Sequence, residues 1–329
     1  MLQQNRQIVN LQGEWRVAID PLDCGIDKKW FSHRLTTGSM RLPGTCAEHQ
    51  LGERCILPPG LTKEAVQRLR TEYTYLGAAW YQTDIQLPGD DQQILLFLER
   101  VMGETQLWVD DIAIGRQDSL STPHQFDITR YVSDGLHHQI TLRIDNRDNN
   151  NIGDWSSART EQTQTIWNGI VGRVELQRVS RYALNELLIS MDSQYRRATL
   201  KVMKTPSIAG WQNLEVTVTL CELDGRCVQR ETQSRVTTLD SDAITVEFPL
   251  CDEIILWDEF TPQRYQLTLE IRNREDASAP CAVSQKTTGF RQLDVSNGLL
   301  RINGVQRFLR GNIDCCVYPL TGYPPTTEA

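Results

Sequence analysis

Apolar and polar residues alternate with a period of two along much of this chain. In ITLRID (140–145) Ile140, Leu142 and Ile144 fall on one face; in LEVTVTLCEL (214–223) Leu214, Val216, Val218 and Leu220 do the same. YQLTLEIRN (265–273) repeats the pattern through Tyr265, Leu267, Leu269 and Ile271. Successive side chains of a strand point to opposite faces, so these segments predict antiparallel strands with one buried face each. A 3.6-residue period is nearly absent. LTKEAVQRLR (61–70), with Thr62 as N-cap and Glu64 in the first turn, is the one segment that predicts a helix. Short strands punctuated by Gly, Asp, Asn and Pro predict an all-β chain built of sandwiches.

At 329 residues the chain exceeds a typical domain of roughly 100–200 residues, so two or three domains are expected. A boundary falls near Val179–Tyr182, where VGRVELQRVSRYAL passes between strand-rich blocks. The expected division is 1–181, 182–289 and 290–329. The middle block has the length of an immunoglobulin-like sandwich and seven predicted strands, near 184–191, 197–203, 214–222, 227–235, 243–248, 264–273 and 281–289. In the last block, Leu299–Ile302 and Val305–Leu309 flank Asn303-Gly304, a strong hairpin signal. Asp224-Gly225 reads as another two-residue turn; that register pairs Glu222 with Cys227 and leaves Cys221 and Cys227 diagonal, which disfavours a disulfide.

Composition narrows the partners. Forty-two acidic against thirty-four basic residues give a net charge of −8, without the clustered basic face that nucleic acid or an anionic membrane requires. No apolar run reaches the roughly 18 residues that span a bilayer, and MLQQNRQIVNLQGEW lacks the apolar core of a signal peptide. Met1 is then a cytoplasmic start, or a leader was removed. The nine cysteines are irregularly spaced without CxxC, which argues against zinc; Cys46 and Cys55 could bridge a loop, although cysteines in non-secreted chains mostly serve as small buried apolar residues.

LQGEWRVAIDP (11–21), YLGAAWYQTDIQLP (75–88), LFLERVMGETQLWVDD (96–111) and WNGIVGRVEL (167–176) resemble, in order and spacing, the N-terminal sugar-binding jelly roll of glycoside hydrolase family 2. That family includes β-galactosidases, β-glucuronidases and β-mannosidases. The resemblance implies a galactose-binding-like jelly-roll β-sandwich, then the immunoglobulin-like β-sandwich. GFRQLDVSNGLLRINGVQRFLRGN then resembles the lead-in to a catalytic (β/α)8, or TIM, barrel of which only the truncated start is expected. It also implies a carbohydrate partner and a C-terminal barrel partner, with localisation periplasmic or secreted by family habit. No cofactor is expected.

Within the jelly roll, Trp80, Gln82, Asp84 and Gln86 alternate with Tyr81, Thr83, Ile85 and Leu87, a strand with an apolar face and an exposed one. Trp80 and Trp108 read as core rather than sugar platforms, and Asp110-Asp111 as the turn between QLWV and IAIG. The long polar stretch NRDNNNIGDWSSARTEQTQTIWNGIVG (146–172) exceeds the roughly 12–15 residues beyond which loops are usually functional or disordered. Sugar recognition needs planar apolar surface and bidentate polar groups, and Asp154, Trp155, Arg159, Gln162, Trp167 and Asn168 are of those types. The bland alternative is that Trp167-Asn168-Gly169 anchors a turn that Asp154 caps.

Retaining family members use two carboxylates about 5 Å apart, carried at barrel strand ends. A barrel takes about 250 residues, so neither catalytic glutamate is expected here. Glu99, Glu104 and Glu161 lie in the jelly roll, Glu99 as a locally paired strand residue. Better-known members read Arg-Gly-Val-Asn-Arg-His-Glu-His-His-Pro at the barrel start; ungapped alignment of Arg310 and Pro319 puts Ile313 on the Asn, Asp314 on the Arg and Cys315 on the first His. Asn312 and Asp314 still offer groups for sugar hydroxyls. Cys315 and Cys316 as strand neighbours point to opposite sides, which disfavours a vicinal disulfide. The tail from Tyr318 is expected to lie on the immunoglobulin-like domain or to be poorly ordered. The implied function is the non-catalytic part of a family 2 enzyme; the competing readings are a stand-alone carbohydrate-binding module and a structural or adhesive β-sandwich array.

Overall fold

The computed structural model describes residues 6–56, 60, 71–89, 92–147, 166–180, 182, 184, 187–203, 208, 211–233, 238–239, 243–276, 278, 281–313, 318 and 321. The predicted helix at 61–70 lies outside them. The chain divides into two compact units, one holding Gln7–Arg178 together with the tail from Ile313, the other Val179–Asn312 with the first residues.

The first unit is a sandwich of two antiparallel sheets. One runs in the order β1 (Arg6–Asn10), β13 (Gly169–Val179), β8 (Gln93–Val101), β11 (His124–Asp127), with β4 (Gly44–Thr45) also on β13. The other runs β10 (Ile112–Gln117), β9 (Glu104–Val109), β12 (His137–Asp145), β7 (Ala78–Gln86), β2 (Gly13–Asp20), β3 (Ser39–Leu42). A small pair, β5 (Glu53–Arg54) with β6 (Tyr73–Thr74), and one turn of helix, α1 (Thr129–Val132), complete it. The period-two pattern produces the core: Ile140, Leu142 and Ile144 of β12 and Tyr81 of β7 meet Leu96 and Leu98 of β8 and Val174 of β13. Asp110-Asp111 makes the turn joining Val109 to Ile112, with Asp110 at φ 53°.

The outer face of β7 departs from expectation. Trp80 is fully buried, in keeping with its reading as core, but Gln82 is buried with it, because the segment between β2 and β3 folds over them. Trp30, Phe31 and Leu35 cover Trp80 and Trp108; the two indoles stack at 5.2 Å and Phe31 lies parallel to Trp108 at 5.1 Å. The Gln82 amide accepts from Leu35 N at 2.8 Å and donates to His33 O at 2.8 Å, so a buried polar group is satisfied by the covering loop itself. Only Asp84 and Gln86 remain exposed on that face.

The second unit is the immunoglobulin-like sandwich. Its sheets are β14 (Leu187–Met191), β15 (Arg197–Met203), β19 (Ala243–Pro249), β18 (Thr238–Leu239) and β17 (Cys227–Gln233), β16 (Leu214–Glu222), β20 (Tyr265–Asn273), β21 (Ala282–Thr288). The predicted faces of β16 and β20 bury against Leu200, Val202, Ile244 and Val246.

Two hairpins show how turn chemistry sets register. Between β23 (Arg301–Ile302) and β24 (Val305–Gln306), Asn303 and Gly304 take φ 52° and 77°, the two positive values a tight hairpin turn requires. Both strands are shorter than expected; β22 (Leu293–Asp294) flanks β23. At the β16–β17 tip the expected register is wrong by one. Glu222 N donates to Arg226 O at 2.8 Å and Gly225 N to Glu222 O at 3.0 Å. The loop therefore holds three residues, with Gly225 at φ 96°, and Cys221 stands opposite Cys227.

Residues 307–313 carry no regular structure, and Asp314, Cys315 and Cys316 lie outside the described residues. Where it is described, the tail groups with the first sandwich. Thr321 is buried, and its carbonyl accepts from Thr45 Oγ1 at 3.0 Å, so the hydroxyl at the β4 end of the first sandwich captures it.

Candidate functional site

The polar loop singled out from the sequence leaves the sandwich after β12 and re-enters it at β13. Residues 148–165 lie outside the described residues, and with them Asp154, Trp155, Arg159 and Gln162. Both stems are described, and each is fixed by an asparagine. Asn146 Nδ2 donates to Tyr75 O at 2.8 Å and to Trp167 O at 3.0 Å, while its Oδ1 accepts from Gly77 N at 2.9 Å. Asn168 Nδ2 donates to Gly77 O at 2.9 Å and Ile144 O at 3.2 Å; its Oδ1 accepts from Tyr81 OH at 2.7 Å, and its own carbonyl accepts from Cys46 N at 2.8 Å. The outgoing stem is thereby bonded to the incoming one and both to residues 75–77.

Two of the eight expected sugar contacts, Trp167 and Asn168, are buried at the base of the loop. Asn168 is 2% exposed and its amide is fully engaged; Trp167 is 4% exposed and packs with Met102 and Val171. Asn168 makes the hydrogen bonds of a turn anchor; Asp154, the cap in the bland alternative, lies outside the described residues. A buried amide needs partners on both ends, and the sandwich supplies them before any ligand does. Asn312 is exposed, and Asp314 is outside the described residues.

Close backbone approach makes the base compact. A Cβ on Gly169 (φ 152°) would meet the Gly44 carbonyl at 2.3 Å, and one on Gly103 (φ 92°) the Asp145 carbonyl at 2.1 Å. Thr45 and Glu48 close the neighbouring turn as a capping pair: Glu48 Oε2 accepts from Thr45 N at 2.7 Å and Glu48 N donates to Thr45 Oγ1 at 3.3 Å.

Beside the stems sits a charged network. Arg143 Nη2 donates to Asp23 at 2.6 Å and to Asp145 at 2.9 Å; Arg147 Nη2 reaches Asp23 at 2.6 Å and also pairs with Asp145. The hydrogen bond from Arg147, then that from Arg143, outweighs burial and holds the Asp23 carboxyl below its ordinary range. Burial pushes Asp145 up, but the Arg147 hydrogen bonds override it and the net direction is down. Both carboxylates are thus fixed as anions and as acceptors only.

Nothing in the sequence marks Tyr81, Cys46 and Asn146 as holding the loop base: Tyr81 reads as an apolar strand residue, Cys46 as a small buried residue or a disulfide partner of Cys55, and Asn146 carries no motif. Burial pushes the Tyr81 phenol well above its ordinary value and the Cys46 thiol up to about 11, so both are neutral near physiological pH and serve as hydrogen-bonding frame. Glu99 is paired as expected: its Oε2 accepts from Arg173 N at 2.8 Å and Nε at 2.9 Å. Glu104 lies 3.9 Å from Arg116 and from Arg143. Among the described residues, no group of three or more His, Cys, Asp or Glu is arranged to hold a metal ion. Among the described residues the arrangement is that of a hydrogen-bonded loop platform.

Residues 8–178, the first sandwich and its loop, match the family model described as glycosyl hydrolases family 2, sugar binding domain. The chain belongs to glycosyl hydrolase family 2. It corresponds to the N-terminal sugar-binding region of family 2 enzymes. A β-galactosidase of Enterobacter cloacae is 25% identical over 228 residues, covering 67% of this chain and 21% of that protein. A β-galactosidase of Vibrio cholerae is 24% identical over 333 residues, covering 93% of this chain and 30% of that protein. Among solved structures, the β-glucuronidase of Ruminococcus gnavus in complex with an N1-substituted uronic isofagomine superposes with a TM-score of 0.68 at 17% identity, over 94% of this chain and 51% of that one. The chain thus spans about half of the glucuronidase chain and less of the galactosidases, and at that identity the structural likeness is one of fold.

Proposed function

We propose that this chain is the non-catalytic part of a family 2 glycoside hydrolase, one that hydrolyses O-glycosyl bonds with retention, and that it contributes a carbohydrate-contacting loop and support for a catalytic barrel. The observation that carries the reading is the double asparagine anchor: a long polar loop bearing Asp154, Trp155, Arg159 and Gln162 is mounted on stems whose every amide is committed to the frame. A ligand loop on a rigid scaffold is the usual way recognition is built. Asn312 and Asp314 would lie at the lip of the barrel. β-Galactosides and β-glucuronides are the substrate classes suggested by the relatives' names.

Barrel support rests on a second observation. Phe308, Leu309 and Ile313 are 84%, 75% and 96% exposed, with Val295 and Leu293 also largely exposed on the β22–β24 segment. Apolar side chains crowded into one short segment mark a surface meant to be covered.

Two measurements test the proposal. Calorimetric titration of the chain with a panel of β-linked oligosaccharides should give binding that Trp155→Ala weakens, by about 1–2 kcal/mol for a lost aromatic platform; flat titrations throughout would refute the carbohydrate loop. The chain alone should not turn over aryl β-galactosides or aryl β-glucuronides, and hydrolysis co-purifying with it would refute the non-catalytic assignment. Strong glycan binding that persists when a barrel chain is supplied in trans, with no association between the two, favours a stand-alone binding module.

A further inference from the structure

The tip of the β16–β17 hairpin brings together two thiols that no part of the sugar-binding reading uses. The three-residue loop with Gly225 in the left-handed region shifts register so that Cys221 and Cys227 are direct cross-strand partners. Glu222 and Arg226 form the hydrogen-bonded pair that closes the loop. Just inward the ladder shifts, with Leu220 facing Gln229 and Val228 as the extra residue. Between that bulge and the loop, Cys221 and Cys227 take the place of a non-hydrogen-bonded pair, whose Cα atoms in a regular ladder approach to about 4.5 Å. That lies within the roughly 4.4–6.8 Å span a disulfide bridges. Burial first, then the Cys227 thiol at hydrogen-bonding reach, pushes the Cys221 thiol up. Neither sulfur is in a disulfide, and Cys227 is exposed while Cys221 is half-buried.

We propose that Cys221 and Cys227 are a redox couple that closes to a cross-strand disulfide by exchange with a low-molecular-weight disulfide of the glutathione type. The exposed Cys227 loses its proton to solvent and its thiolate attacks one sulfur of the small disulfide. A mixed disulfide forms and one small thiolate leaves. Cys221 then gives up its proton, its sulfur attacks Cys227 Sγ, the Cys221–Cys227 bond forms and the second small thiolate departs. Two protein thiols are oxidised and one small disulfide is reduced to two thiols. The accessibility order fixes the roles, with Cys227 as the attacking and Cys221 as the resolving thiol. β17 lies at the edge of its sheet with β16 as its neighbour, so the bond pins an edge strand covalently to the sandwich.

The full chain is equilibrated in mixtures of reduced and oxidised glutathione, quenched with acid, alkylated and digested with trypsin, which cuts after Arg226 and so separates the two cysteines. Expected are a disulfide-linked pair of peptides carrying Cys221 and Cys227, and in Cys221→Ser a glutathione adduct trapped on Cys227. Cys227→Ser should abolish the linked pair without placing an adduct on Cys221. Full alkylation of both thiols in every mixture overturns the proposal, as does a stable adduct on Cys227 in the unsubstituted chain. Linkage of Cys227 to Cys251 overturns it equally. The unsubstituted chain decides the matter even if a variant fails to fold.

Discussion

His138 shows what one side chain can impose on the first sandwich. Its Nδ1 lies 2.9 Å from Asp110 and its Nε2 2.7 Å from Asp134, carboxylates at the β9–β10 turn and in the segment leading to β12. Burial lowers its pKa, but the hydrogen bonds to Asp110 and Asp134 override this and the net direction is up from 6.5. A group whose folded pKa is raised stabilises fully below its unfolded value and loses that contribution as pH rises through the folded one. Urea midpoints should therefore fall as pH climbs above about 6.5, and His138→Gln should flatten that slope; an unchanged slope would assign it elsewhere. Asn168 makes a second residue-level prediction. Asn168→Ala leaves Tyr81 OH with the Cys46 thiol alone, at 3.5 Å, and takes a donor from each of the Gly77 and Ile144 carbonyls; at about 1–3 kcal/mol per unsatisfied buried group it should cost at least ~2 kcal/mol in chemical denaturation. Neither role was legible in sequence, because an Asn beside a Trp in a polar loop has the same composition whether it binds a sugar or a backbone.

At the scale of elements, most of the fold was legible and the exceptions share a cause. The faces of β12, β16 and β20 follow from a period of two because strand geometry enforces it. The burial of Gln82 does not follow, since the cover over it, Trp30 to Leu35, has no period of its own and is recognised only once β2 and β3 are neighbours. The β16–β17 register failed for a related reason: Asp-Gly serves both two-residue and three-residue hairpins, and the choice is made by backbone hydrogen bonds. Gly169 tests the loop platform as an element. With the Gly44 carbonyl 2.3 Å from where a Cβ would stand, Gly169→Ala must move β4 or β13, and a loss of more than ~1 kcal/mol is expected. A silent Gly169→Ala in thermal denaturation would mean that the two backbones can part freely.

For the whole molecule, the two units have separate cores, and exposed apolar residues are densest between Leu293 and Ile313. Phe308→Ser with Leu309→Ser should leave the stability of this chain nearly unchanged, since both side chains are already in water. The same pair should reduce co-elution with a family 2 barrel chain supplied separately. A double variant that associates as well as the original would remove these residues from the docking surface. The family and the order of its parts were legible because the quoted segments recur with fixed spacing. The destination of the tail was not, because Thr321 is held through a backbone carbonyl that any residue would offer.

The asparagine stems have a consequence for how this architecture can change. Asn146 and Asn168 bond to backbone on both sides of the loop, so the stems hold their register without calling on the segment between them. Its length and sequence can drift, be exchanged between relatives or be randomised in a library while the frame keeps its register. On the proposed reading of the loop as a sugar contact, selection for a new preference has a cassette whose ends are already clamped.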